Sequence, residues 1–226
     1  MCQIISVHMP KAAGTSLLQG WRAAFGAANV KTLYELNPAD PLSPGCLDSS
    51  KSIKAHGINV DNYPVIHGHF KPDLFAPKHC NFYCIFIRHP VDTLLSIFAY
   101  WSRTQPNDAL HKYFCDSRLS ILEMAHLPII RNLLSETYLS KFDITRFDFI
   151  GIHSDLEADF EKMSNILDKR IPMIDANITD SRSETLEGPY QQIRNDRQLR
   201  ETLASILAKD IELYDAMLAY RKRRGY

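Results

Sequence analysis

Two short runs of this chain bring cations, hydroxyls and a glycine together in a way that suits the holding of an anion. The first, His8-Met9-Pro10-Lys11-Ala12-Ala13-Gly14-Thr15-Ser16, follows the β-branched run Ile4, Ile5, Val7 and precedes a stretch of helical character. A loop between strand and helix converges unpaired N–H groups on one point, and the helix dipole adds positive potential there. Gly14 permits close backbone approach, Thr15 and Ser16 offer hydroxyl donors, Lys11 is a mobile cation, and Ala12 and Ala13 complete the loop. A nucleoside-triphosphate loop carries an earlier glycine and sets its lysine after the last one. Here Lys11 precedes Gly14, the earlier glycine is missing, and the run has no Asp or Glu for magnesium. The anion need not be a metal-bound triphosphate. Alone, a Pro-Lys turn before a helix also fits an ordinary loop.

The second run, Cys84 to Trp101, again sets a cation where a strand ends and a helix begins. Ligands of open α/β sheets collect at such carboxyl ends. Arg88 can grip a phosphate bidentately. Ser96 lies about two turns along the following helix and can donate from the side. The plainer reading pairs Arg88 with a carboxylate and leaves Tyr100 and Trp101 in the core. Taken together, the two junctions imply a ligand with two separated anionic ends.

A third pattern is His67-Gly68-His69 at the end of a short strand, where residues two apart share one face. A histidine near its reference pKa of about 6.5 serves as a general base, an effect of about 10²–10⁴-fold. The pair also reads as a structural feature or half a metal site, but no matching His or carboxylate pair stands elsewhere at ligand spacing. His8, His89 and His153 also fall near strand ends and are lesser candidates for a base.

These motifs resemble those of the 3′-phosphoadenosine 5′-phosphosulfate (PAPS)-dependent sulfotransferase superfamily. Pro10 to Ser16 is similar to its 5′-phosphosulfate loop, and Arg88, Pro90, Ser96, Tyr100 and Trp101 are similar to its 3′-phosphate signature. Within it, His8 to Ser16, His67 to His69 and Arg131 to Leu139 look most like the carbohydrate branch containing the uronyl 2-O-sulfotransferases. The resemblance runs over residues 3–170 and is faint beyond. It implies a P-loop-type three-layer fold and in-line transfer of a sulfuryl group from PAPS to a hydroxyl, carbohydrate or glycan-like, without a metal. It further implies 3′-phosphoadenosine 5′-phosphate as product, His69 as base and His67 as a residue orienting substrate or supporting His69. Lys11 and the 10–16 loop would stabilise the departing 5′-phosphate, and Arg88 and Ser96 would fix the 3′-phosphate. Adenine is expected near the irregular 178–190 segment, with Arg182 in reach of the 3′-phosphate. The competing readings are a small-molecule kinase, which needs magnesium and a Walker-type loop, and a non-catalytic nucleotide- or glycan-binding module indifferent to His69.

The elements that must position these residues alternate. Ile4 to Val7, Tyr63 to Phe70, Phe82 to Ile87 and Phe147 to Ile152 read as strands, with Phe82 to Ile87 apolar on both faces. Thr15 to Phe25 and Pro90 to Trp101 read as helices, the latter with proline in its first turn. Residues 107–140 are mostly helical in pattern, interrupted near Pro128. Ser154 and Glu157 predict a capping box for a helix whose face carries Leu156, Phe160, Met163 and Leu167. One or two helices close the chain with Leu199, Leu203, Ile206, Leu207, Tyr214 and Met217 at helical spacing. Strands alternating with helices predict an α/β fold with a mostly parallel sheet, in a single domain over residues 1–226. The Pro-rich 37–64 stretch reads as loop-rich, an acceptor-side or lid segment.

Composition narrows the class. The 226 residues, 45% hydrophobic and 23% charged, are those of an ordinary globular protein. With 26 basic and 26 acidic residues there is no general electrostatic case for nucleic acid or an acidic membrane surface, so any anion site is local. The terminal run Arg221-Lys222-Arg223-Arg224 reads as a solvated end. No apolar run reaches the roughly 18–20 residues of a membrane span. Five scattered cysteines without a Cys-x-x-Cys pair fit neither a disulfide framework nor a zinc cluster. A cytoplasmic setting is the simplest expectation, and a Golgi enzyme freed of its membrane anchor would have the same composition.

Overall fold

The structure, a computed structural model, describes residues 3–34, 62–75, 81–106, 108–140, 142–174 and 193–226. Strand β1 (Gln3–Val7) leads through the 8–13 loop into helix α1 (Gly14–Phe25), then to β2 (Val30–Leu33), β3 (Val65–Gly68) and β4 (Asn81–Ile87). Helix α2 (Pro90–Trp101) follows, then α3 (Ala109–Ser117), α4 (Ile121–His126), α5 (Pro128–Arg131) and a π-helical turn (Leu133–Tyr138). Strand β5 (Phe149–Ile152), α6 (Leu156–Ile166), α7 (Arg197–Ile206) and α8 (Ala208–Arg224) complete the described elements. The five strands form one parallel sheet in the order β2-β3-β1-β4-β5.

Alternation along each strand divides the interior in two. Ile5, Val7, Ile66, Ile85, Ile87 and Ile150 face α2, the helices of 109–139 and the last two helices. Ile4, Val65, Cys84, Phe86 and Phe149 face Leu17 and Trp21 of α1 and Phe160 and Met163 of α6. Apolar residues on both faces are what a parallel sheet between two helical layers requires, so the three-layer α/β expectation holds. Trp21 and Met163 are fully buried, and each such side chain contributes about 1.5–3 kcal/mol on removal from water.

The topology also places the site. From β1 the chain leaves toward the β2 edge, whereas from its neighbour β4 it leaves toward β5. The connections diverge above the carboxyl ends of β1 and β4, which opens a crevice there. The 8–13 loop and Arg88 stand on its two sides.

Two local expectations are corrected. The Ser154–Glu157 capping box does not form: His153–Asp155 is a 3₁₀ turn, and α6 begins at Leu156 with Asp155 as an N-cap that makes no side-chain bond. The chain is anchored there by Asp159, whose carboxylate accepts the Ile152 N–H at 2.7 Å. A capping box does exist at Ser120 and Glu123, starting α4. Nor is the basic C-terminal run wholly solvated. Arg221 is 6% exposed and donates bidentately to Asp159 at 2.6 and 2.7 Å and to the Ile150 carbonyl at 2.7 Å. Lys222, Arg223 and Arg224 are exposed, as expected. No described helix is long and apolar enough to cross a membrane.

Candidate active site

The 8–13 loop is shaped by two left-handed residues, Lys11 (φ 60°) and Ala13 (φ 67°), the second of which is the N-cap of α1. That cap makes no side-chain hydrogen bond, and the first turn of α1 holds no acid. The helix ladder begins with Leu17 N–H on Ala13 O at 3.0 Å. The N–H groups of Gly14, Thr15 and Ser16 therefore lie ahead of the ladder, without a partner among the described residues. Ala12 differs: it is buried and its N–H is spent on Met9 O at 3.3 Å, so it shapes the loop and contributes no donor. Gly14 has a reason the sequence did not disclose. A Cβ there would meet His8 Cδ2 at 1.7 Å, so the missing side chain makes room for the His8 ring.

Cations gather beside this helix start. Arg88 Nη1 donates to Lys11 O at 3.3 Å and so ties the β4 junction to the loop. Lys11 Nζ lies 4.4 Å from the centre of the Tyr100 ring. Burial lowers the Lys11 pKa, and the neighbouring charges of Arg88 and Arg103 lower it further. Among the described residues no carboxylate pairs with Lys11 or Arg103. Arg103, whose Nε is held by Ala99 O at 2.7 Å, was not singled out from sequence. Its signal was its spacing from Ser96 and Tyr100, one helix face carried a turn further. Ser96 is half-buried on α2, with no partner for its hydroxyl among the described residues. Arg182 lies outside the described residues, as does the segment expected near adenine.

On the β3 side stands a stack of imidazoles. The His8 ring lies 5.2 Å from that of His67 and 4.4 Å from that of His69, within about 20° of parallel in both cases. His67 and His69 do share one face, and Gly68 between them cannot carry a side chain, since a Cβ would strike Leu33 O at 2.1 Å. Their hydrogen bonds separate their roles. A carbonyl only accepts, so His67 Nε2–H donates to Gly14 O (3.1 Å) and His67 Nδ1 accepts from Ser6 Oγ (2.8 Å). Ser6 in turn receives the Trp21 indole N–H at 3.0 Å. His67 is 0% exposed with both nitrogens occupied. It ties β1, β3 and the start of α1 together and has no atom left for substrate, so only the supporting half of its expected role remains.

His69 is arranged otherwise. Its Nδ1–H donates to His8 O at 2.7 Å, and Tyr138 Oη lies 2.8 Å from the same nitrogen. Nε2 then carries the lone pair, with no partner among the described residues. Burial is the main cause that pushes the pKa of His67 down to about 3 and that of His69 to about 4. His8 is held well below its usual value by burial and by its two histidine neighbours, while its Nδ1 meets Tyr34 Oη at 2.9 Å. All three rings are neutral at pH 7. The described residues include no set of three or more His, Cys, Asp or Glu arranged to hold a metal ion.

The crevice thus joins a helix start whose first N–H groups have no partner among the described residues, Lys11 and Arg88 from the two strand-to-helix junctions, Arg103 just past the end of α2, and the imidazoles of His8 and His69, each bonded through Nδ1 with no partner for Nε2 among the described residues. No protein-family model matches the chain, and a search of curated proteins finds no significant match either.

Proposed function

We propose that the chain is a sulfotransferase that moves a sulfuryl group from PAPS to a hydroxyl. The observation that carries this reading is the set Lys11, Arg88 and Arg103 beside the uncapped start of α1, with the His8 ring against Gly14 and the His69 ring stacked on His8. Lys11 and the N–H groups of Gly14, Thr15 and Ser16 would receive the 5′-phosphate as the S–O bond to it breaks. Arg88 and Ser96 would hold the 3′-phosphate, so that binding energy far from sulfur positions the donor. His69 Nε2 would take the acceptor proton as the hydroxyl oxygen attacks sulfur, while Nδ1–H stays on His8 O. A pKa near 4 makes a poor base, but the negative charge of a bound donor would raise it toward the working range. The carbohydrate acceptor rests on the resemblance of the His8–Ser16, His67–His69 and Arg131–Leu139 runs.

Calorimetric titration with 3′-phosphoadenosine 5′-phosphate in metal-free buffer tests this, with ATP–magnesium as control. The expected result is metal-independent binding weakened about 10–100-fold in Arg88→Ala. No binding, or binding of ATP–magnesium in its place, would reject the sulfotransferase and favour a small-molecule kinase. Donor binding with no transfer, unaffected by His69→Ala, would leave a binding module.

A further inference from the structure

The π-helical turn at Leu133–Tyr138 ends on the residue that touches His69. In this turn Thr137 N–H bonds to Asn132 O (2.9 Å) and Leu139 N–H to Leu134 O (3.0 Å), so each donor reaches back one residue further than in an α-helix. One extra residue rotates the succeeding side chains by about 100° around the axis. That rotation matters for Tyr138, a 2% exposed residue whose hydroxyl must meet His69 Nδ1. The turn is held by Asp210 at the start of α8. Its carboxylate, 2% exposed, accepts the N–H groups of Leu134 and Ser135 at 2.8 Å each. Two further ties bind the same segment: Lys209 pairs with Glu136, and Arg131 Nε donates to Ile206 O at 3.3 Å. A buried carboxylate committed to a rare form of helix, with its last residue against an imidazole, is a costly arrangement for packing alone.

We propose that Tyr138 is a positioning residue for His69, its hydroxyl helping to keep the proton on Nδ1 so that Nε2 faces the crevice with its lone pair. The proton on Nδ1 lies between two oxygens, His8 O and Tyr138 Oη, and this fork fixes both the tautomer and the plane of the ring. Asp210 acts at one remove, by holding the turn that delivers Tyr138. The importance of an aimed Nε2 rests on the proposed base role of His69. The geometry of the fork does not.

The test is imidazole NMR on the full chain labelled with ¹⁵N-histidine, near neutral pH, with His69 assigned by its loss in His69→Gln. The wild type should show a slowly exchanging Nδ1–H for His69. Tyr138→Phe, which keeps the ring and removes the hydroxyl, should speed that exchange about tenfold or more. Asp210→Asn should act in the same direction, and the double variant should be no worse than Tyr138→Phe, since both changes break one linkage. An unchanged Nδ1–H exchange in Tyr138→Phe overturns the proposal, whether or not Asp210→Asn folds. Neither donor nor acceptor enters the measurement. A failure of the sulfotransferase reading would instead appear as absent 3′-phosphoadenosine 5′-phosphate binding with the His69 signature intact.

Discussion

The two strand-to-helix junctions look alike in sequence and are built differently. At the β1–α1 junction the chain is bent through left-handed Lys11 and Ala13, the helix is uncapped, and its first turn is free of acid. At the β4–α2 junction Pro90 opens the helix, and the first turn carries Asp92, which pairs with Arg200 at 2.9 Å. The first junction offers main-chain donors plus one lysine. The second has part of its helix charge already answered and offers chiefly the Arg88 side chain. A ligand bridging both would be cradled at one end and clamped at the other. Under the proposed transfer, that difference would suit a leaving phosphate at α1, where charge would grow, and a static phosphate at α2.

The sharpest way to break this contrast is Gly14→Ala. A Cβ 1.7 Å from His8 Cδ2 must displace the imidazole stack or the start of α1. We expect a loss of about 3 kcal/mol in denaturant titration, at the upper end of overpacking, together with the loss of nucleotide binding. The corresponding substitution at the second junction, Val91→Ala, should lower stability through a cavity while leaving the binding stoichiometry intact.

Acid should act next, and selectively on the β3–β1 side. His67 and His69 have folded pKa values of about 3 and 4, below the unfolded value of about 6.5, and His8 is depressed in the same direction. The unfolded chain therefore takes up protons first as pH falls. The stability these rings confer is fully present above pH 6.5 and is lost as pH drops through about 4 to 3. Urea midpoints at pH 7, 5.5 and 4.5 should fall steadily, and less steeply in His67→Gln. A flat profile in the wild type would contradict the buried neutral stack.

Smaller effects sharpen the comparison at the anion ends. Lys11→Ala and Arg88→Ala should each weaken 3′-phosphoadenosine 5′-phosphate binding about tenfold or more and reduce its salt dependence, by calorimetry in 50 and 200 mM salt. Asp92→Asn should strengthen binding by roughly twofold to fivefold, because it removes a negative charge from the second junction only. Asp92 and Arg200 are each about one-third exposed, so solvent screening keeps that effect modest. Equal sensitivity of the two junctions to Asp92→Asn and to a carboxylate introduced by Thr15→Asp would erase the distinction.

Much of this architecture was legible in sequence because it is periodic. The apolar run Phe82–Ile87 falls in strand β4, which lies between β1 and β5 with a core on each face, and Pro90 to Trp101 is a helix at those residues. Arg88 Nη1 reaches Lys11 O because both residues follow the carboxyl ends of neighbouring parallel strands, a closeness that the sequence reading of two separate junctions did not include. The function of single polar residues inside apolar patterns escaped. Ser6 interrupts a β-branched strand because it bridges Trp21 to His67. From the N-cap Leu207 along α8, Asp210, Tyr214, Met217 and Arg221 continue one buried stripe, and its two charged members are partners of the 133–138 turn and of Asp159. Charges within an apolar stripe were the available signal for both. The tie from Tyr138 to His69 had no such signal, since it spans 69 positions and depends on a π-helical turn that leaves no periodic mark.

The central claim is that both junctions hold one donor, and a crystal structure of the chain with 3′-phosphoadenosine 5′-phosphate tests it most directly. The account predicts the 5′-phosphate on Lys11 and the N–H groups of Gly14, Thr15 and Ser16, the 3′-phosphate on Arg88 and Ser96, and His69 Nε2 facing the open side of the 5′ end. A nucleotide with both phosphates at one junction, or with its 5′ end at Arg88, would contradict it.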